Sequence, residues 1–149
     1  RCQLVATTSV NGKVGVRFYD DSKGTNVGAT VAAIEGLCES ADDRVVLIAG
    51  GVGKGAEFNA LAPVLARHGR GVVLIGEAAD AIAVALGNRV PQVRADSMPH
   101  AVAAAAALAQ AGDSVLLSPA CASFDMFNNY AHRGEVFIAA VKSLVEANV

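Results

Sequence analysis

Three continuous apolar runs most constrain the fold of this chain: Val45-Val46-Leu47-Ile48, Val72-Val73-Leu74-Ile75 and Val115-Leu116-Leu117. A strand with one solvated face alternates apolar and polar residues. An uninterrupted run marks a strand buried on both faces, as in a parallel sheet sandwiched between helices. Between the runs lie stretches with helical spacing. One carries Val27, Val31, Ile34 and Leu37 after a polar Thr25-Asn26 cap. Others are predicted over 58–68, 78–86 and 98–111, the last capped by Asp96 or Ser97. Phe137, Val141, Leu144 and Val145 define a C-terminal helix.

Alternating strands and helices predict βαβ crossovers and an open sheet. A weaker strand, Val90-Pro91-Gln92-Val93, is expected at an edge or to start late, because proline cannot donate to the ladder. Leu4-Val5-Ala6-Thr7-Thr8 and the run from Val14 to Tyr19 flank Asn11-Gly12, a strong hairpin signal. The expected fold is α/β: a Rossmann-like, doubly wound, mostly parallel sheet with an N-terminal antiparallel hairpin. At 149 residues the chain fits one domain, 1–149.

Composition narrows the function. Twelve basic and 14 acidic residues give a net charge of −2, with no basic stretch to track a phosphate backbone, so nucleic acid is not an expected partner. No run of about 18 apolar residues exists, so a membrane is not one either. Cys2, Cys38 and Cys121 are odd in number and far apart. They suit no disulfide framework or metal site, and are expected as free thiols in a reducing, cytoplasmic setting. The chain begins Arg1-Cys2-Gln3-Leu4 without methionine, and is expected to be a fragment of a longer protein.

In an open α/β sheet, ligands sit beyond the carboxyl ends of the strands. Three loops there are rich in functional groups: 20–26 (DDSKGTN), 50–55 (GGVGKG) and 118–125 (SPACASFD). The second invites a phosphate-loop reading and fails it. Ile48 stands where the first glycine is needed, and Gly55 stands where a magnesium-binding hydroxyl is needed. A dinucleotide fingerprint fails too, with Ala56 in the last glycine's place. What remains is a flexible backbone with one cation, Lys54, suited to a carboxylate or phosphate; a solvated lysine in a glycine turn is the plain alternative.

In the first loop, helix capping accounts for Thr25 and Asn26 and the dipole for Asp21. Lys23 stands where the dipole disfavours a cation, which hints at a ligand. In the third loop no nucleophile elbow exists, and none of His68, His100 and His132 is placed as a base partner. Ser123 reads as a hydrogen-bond donor to a carboxylate. Cys121 reads as a small buried residue.

Taken together, the 21–30 block (DSKGTNVGAT), the 50–54 block (GGVGK) and the 117–127 block (LSPACASFDMF), followed by Tyr130-Ala131-His132-Arg133-Gly134, resemble the Mur ligase family. The third block narrows the likeness to the members that add D-glutamate, and the likeness covers essentially the whole chain. The resemblance implies the C-terminal, amino-acid-binding and closing domain of a three-domain ligase, whose N-terminal and central ATP-binding domains are absent here. It implies ATP-dependent amide formation between UDP-N-acetylmuramoyl-L-alanine and D-glutamate through an acyl phosphate, in cytoplasmic peptidoglycan precursor synthesis. ATP and Mg²⁺ would be held mainly by the central domain, with no catalytic residue and no metal ligand in this chain, and a monomer is expected.

By the same resemblance, Thr25, Lys54 and Ser123 would hold the D-glutamate carboxylates, with Phe124 and Tyr130 lining that pocket. Arg1 and Asp21 would meet the ribose or adenosine part of the nucleotide, and Lys23 its active-site edge. Two other readings stay open: another amino-acid-adding ligase of the superfamily, and a non-catalytic α/β module that binds small anions.

Overall fold

A computed structural model describes residues 2–10 and 13–147. Arg1, the expected hairpin turn at Asn11-Gly12, and residues 148–149 lie outside them. The elements run β1 (Gln3–Val10), β2 (Lys13–Asp20), α1 (Val27–Leu37), β3 (Val45–Gly50), α2 (Leu61–His68), β4 (Gly69–Ile75), α3 (Ala79–Leu86), β5 (Gln92–Arg94), α4 (Met98–Leu108), β6 (Ser114–Leu117) and α5 (Tyr130–Ala147).

The strands form one six-stranded sheet in the order β1-β2-β6-β3-β4-β5. Among the described strands, β1 runs antiparallel to β2, and the other strand pairings are parallel. The expected doubly wound sheet with an N-terminal antiparallel pair is what the chain forms. β5 lies at the edge and begins one residue after Pro91, since a proline there removes no ladder donor.

The three apolar runs are fully buried, and alternate residues face opposite layers. Val45, Leu47, Val72, Leu74 and Leu116 pack with Ile34 of α1, Leu61 and Leu65 of α2, and Ile82 and Leu86 of α3. Val46, Ile48, Val73, Ile75, Val115 and Leu117 pack with Ala101 and Val102 of α4 and Phe137 and Val141 of α5. Each such Val, Leu, Ile or Phe side chain contributes about 1.5–3 kcal/mol by leaving water.

Helix boundaries differ from expectation where chain entry is irregular. α1 is capped as expected, with Asn26 Oδ1 accepting from Ala29 N at 2.9 Å, and α4 by Ser97. α2 begins at Leu61 rather than 58: residues 58–61 close as a turn through Leu61 N donating to Phe58 O, and Ala60 offers no side-chain cap. α4 stops at Leu108, three residues early, before the turn that carries Gly112 at φ +92°. α5 begins at Tyr130, seven residues before Phe137, the first of the residues whose spacing defined it in the sequence.

The order of strands creates a switch point. The loops after β2 and β3 lead to α1 and α2 in one layer. β6 lies between those strands, and its loop leads to α5 in the other layer. A crevice therefore opens beyond the carboxyl end of β6, where ligands of open α/β sheets bind.

Candidate functional site

The three loops meet at this crevice, and main-chain hydrogen bonds stitch them together. The β6–α5 loop is the hub. Its Ala120 N donates to Gly24 O of the β2–α1 loop at 2.8 Å. Ala122 and Val52 of the β3–α2 loop exchange both bonds, at 2.9 and 3.1 Å. Pro119 O accepts from Gly50 N at 2.9 Å. Thr25, Lys54 and Ser123 thus each stand within two positions of a bond that joins their loops, although they are far apart in sequence.

The glycines of the β3–α2 loop serve this closure. Gly50 and Gly51 both take φ +132°, and a Cβ on either would strike a backbone oxygen, that of Ile75 or that of Ala122. Their freedom lets neighbouring strands and loops approach. Gly50 N and Val52 N are spent inside the protein, and α2 starts only at Leu61, too far along to aim its N-terminus at a phosphate on the loop. The loop therefore does not fit a triphosphate. Among the described residues, no three His, Cys, Asp or Glu side chains converge in a way that could hold a metal ion.

Beyond Val52 the loop turns outward. Lys54 is exposed, in the left-handed region at φ +53° that a lysine rarely adopts. Ser123 is the opposite. It is only 2% exposed, its carbonyl accepts from Met126 N and Phe127 N, and among the described residues no partner meets its hydroxyl. Phe124, next to it, is 68% exposed, and Tyr130 45%. Thr25 is exposed beside the α1 cap.

Asp21 is buried. Its Oδ2 accepts from Ser118 Oγ at 3.0 Å, and Ser118 Oγ also lies 3.2 Å from Thr30 Oγ1, which donates to Ser118 O at 3.0 Å. Asp21 and the exposed Lys23 line a cavity of about 670 Å³, with Gly24, Ala29, Ala33 and Leu37 as its small apolar wall. A second, about 270 Å³, has Lys23, Asp20, Tyr130 and Glu135 in its lining. Burial is the main cause that raises the Asp20 carboxyl above its ordinary range.

The structure therefore groups the expected residues in two sets. Asp21, Lys23 and Tyr130 gather around cavities; Thr25, Lys54 and Ser123 share the stitched rim, and Phe124 projects from it. Tyr130 falls on the Lys23 side rather than beside Lys54. Arg1 lies outside the described residues.

Thr30, Ser118 and Arg133 were not among the expected residues. Arg133 is fully buried and spans two of the loops. A signal existed: Arg133 lies four and eight residues before Phe137 and Val141, so the buried face of α5 runs back into it. Thr30 precedes buried Ile34 in the same way.

Known proteins resemble this chain in sequence and in fold. The family model of the Mur ligase glutamate ligase domain matches residues 1–121. A UDP-N-acetylmuramoylalanine–D-glutamate ligase of Pseudomonas fluorescens is 56% identical over 144 residues, 97% of this chain and 31% of that protein. Its counterpart in Aromatoleum aromaticum is 57% identical over 147 residues, 98% of this chain and 30% of that protein. The chain thus spans about a third of the length of these relatives. A murein peptide ligase of Psychrobacter arcticus superposes with a TM-score of 0.59 at 13% identity, over 94% of this chain and 29% of that one. A UDP-N-acetylmuramate-alanine ligase of Thermotoga maritima does so with a TM-score of 0.53 at 13% identity, over 87% and 27%. At that identity these structures speak for the fold, while the family match and the close relatives speak for descent: the chain belongs to the Mur ligase family, through its glutamate ligase domain.

Proposed function

We propose that this chain is the C-terminal, amino-acid-holding domain of a monomeric, cytoplasmic, ATP-dependent ligase that joins D-glutamate to UDP-N-acetylmuramoyl-L-alanine in peptidoglycan precursor synthesis. The observation that carries the reading is the stitched rim, where Thr25, Lys54 and Ser123 stand on three loops that the β6–α5 loop bonds together. D-glutamate brings two carboxylates that must each lose water, and these residues offer an ammonium and two hydroxyl donors. Ser123 stands in a buried loop, and its hydroxyl, which meets no partner among the described residues and is not sealed from solvent, is open to an arriving anion. Phe124, which projects from the rim, would cover the aliphatic part of the ligand, and Tyr130 would close the pocket from the Lys23 side.

On the other side of the rim, the nucleoside end of ATP fits the chain and the triphosphate does not. The cavity at Asp21 offers an apolar wall for a base and a carboxylate for ribose hydroxyls, with Lys23 at its mouth. ATP, when bound, supplies the phosphoryl group that activates the acceptor carboxylate, and Mg²⁺ belongs with the phosphates outside this chain. The residues of this chain bind and orient, so the isolated chain is expected to form no amide and to release no phosphate from ATP.

The test is an amide-forming assay of the complete polypeptide that carries this domain, supplied with ATP, UDP-N-acetylmuramoyl-L-alanine and one amino acid at a time. Product is expected with D-glutamate and not with L-lysine or L-alanine. Product with another amino acid and none with D-glutamate would assign the chain to a different ligase. No product with any amino acid, together with anion binding by the chain, would favour the small-anion module.

A further inference from the structure

Arg133, in the first turn of α5, is 0% exposed, yet no carboxylate is among its hydrogen-bond partners. Its Nε donates to Ser22 Oγ at 2.9 Å and its Nη2 to Ser22 O at 2.7 Å, both in the β2–α1 loop. Its Nη1 donates to Cys121 O at 2.9 Å, in the β6–α5 loop. Ser22 Oγ donates in turn to Tyr130 O at 2.6 Å, and Ser22 N donates to Asp20 Oδ1 at 3.0 Å. Burial lowers the Arg133 pKa to about 10, which still leaves it charged at neutral pH.

A desolvated guanidinium whose hydrogen bonds all go to neutral acceptors, with the Asp125 and Asp20 charges offsetting burial without bonding it, is a costly way to hold two loops, and apolar residues of similar volume often stabilise a fold as well or better. The main-chain bond from Ala120 to Gly24 already joins the same loops. What the guanidinium adds is a rigid plane with divergent donors, which fixes where Ser22 and Cys121 stand relative to each other. One residue beyond Ser22 is Lys23, and one before it is Asp21. Two residues beyond Cys121 is Ser123.

We propose that Arg133, acting through Ser22, is a positioning residue that makes the nucleotide-side loop and the amino-acid-side loop a single body. The proposal rests on the reading of the site given above. Loosening the clasp misplaces Asp21 and Lys23 together with Ser123, so the KM values for ATP and for D-glutamate rise in concert. The site for the uridine nucleotide, which lies outside this chain, is not affected. A role in folding alone would lower the melting temperature and leave both KM values where they were.

The experiment uses the complete ligase with Ser22→Ala, Arg133→Lys and Arg133→Met, measuring each KM, kcat and the melting temperature. Ser22→Ala is expected to raise both KM values about fivefold or more, the effect of one hydrogen bond. Arg133→Lys is expected to rescue little compared with Arg133→Met, because a point charge cannot span three divergent acceptors. KM values for both ligands within about twofold of wild type in folded Ser22→Ala would overturn the proposal. So would a rise confined to one ligand, or full rescue by lysine. Should the Arg133 variants not fold, Ser22→Ala alone decides. A wild-type enzyme without activity on D-glutamate would instead refute the underlying reading of function.

Discussion

The β6–α5 loop and the outer half of the β3–α2 loop carry one expected carboxylate ligand each, and they hold it in opposite ways. Ser123 sits in a loop bonded to the backbone of two neighbours and anchored by a buried arginine, and the residue is 2% exposed. Lys54 stands past the last of these bonds, exposed, on a left-handed turn. The difference suits their chemistry. A neutral hydroxyl gains affinity only when its direction is fixed in advance, because its bond to an anion is short-ranged. An ammonium on a long stem attracts from further away and adapts its position.

The sharpest way to break the comparison is to test where the locked half of the β3–α2 loop ends. Gly50→Ala places a methyl group against Ile75 O at φ +132°, and should cost about 3 kcal/mol or more in a denaturant melt. Gly55→Ala also puts an alanine at positive φ, +71°, but with nothing within 4 Å. It should cost only about 1–2 kcal/mol. Equal costs would mean that the outer half is as tightly held as the inner one.

A second test concerns the two ligands themselves, in the complete enzyme. On the proposed role, Lys54→Ala removes a charge-assisted contact of about 1.5–3 kcal/mol, so D-glutamate use should weaken about 10- to 100-fold. Ser123→Ala removes a neutral donor and should cost somewhat less. Both losses should appear mainly in the KM for D-glutamate, with little change for the uridine nucleotide. Lys54→Gly should match the kinetic loss of Lys54→Ala while stabilising the fold by about 1 kcal/mol, since glycine takes φ +53° freely. If Lys54→Ala leaves D-glutamate kinetics intact and raises the KM for ATP, the loop belongs to the nucleotide.

Particular residues explain how far the fold and the site were legible in the sequence. The apolar runs that became β3, β4 and β6 declare themselves, because burial on both faces leaves no room for polar residues. Pro91 declares the late start of β5. The start of α5 is hidden because Tyr130, Ala131 and His132 look like loop residues, and the turn is marked as packed by the buried Arg133 and Gly134. In the site, glycine, lysine and serine on strand-to-helix loops could be found from the rule that ligands bind at strand carboxyl ends. The Ser118–Asp21–Thr30 bonds and the Arg133–Ser22 clasp could not, because they join residues from 88 to 111 positions apart.

The smallest expected effect tests the locked loop through its thiol. Cys121 lies between the bonds that hold the β6–α5 loop, and is buried; Cys38, at the end of α1, is buried too; Cys2 is exposed. All three are free. Native alkylation should therefore modify Cys2 first, and denaturation should bring the count to three by mass. If Cys121 reacts as fast as Cys2, the loop opens readily and its rigidity is lost as an argument. Burial also pushes the Cys38 and Cys121 thiols up to about 11, from an ordinary 9.0. A raised folded-state pKa means that the unfolded chain releases its proton first. The contribution is fully present below pH 9 and is lost as the pH rises through about 11. Denaturation midpoints measured from pH 8 to 11 should fall more for the wild type than for a Cys38→Ala, Cys121→Ala variant. Parallel curves would mean that neither thiol is sealed from solvent.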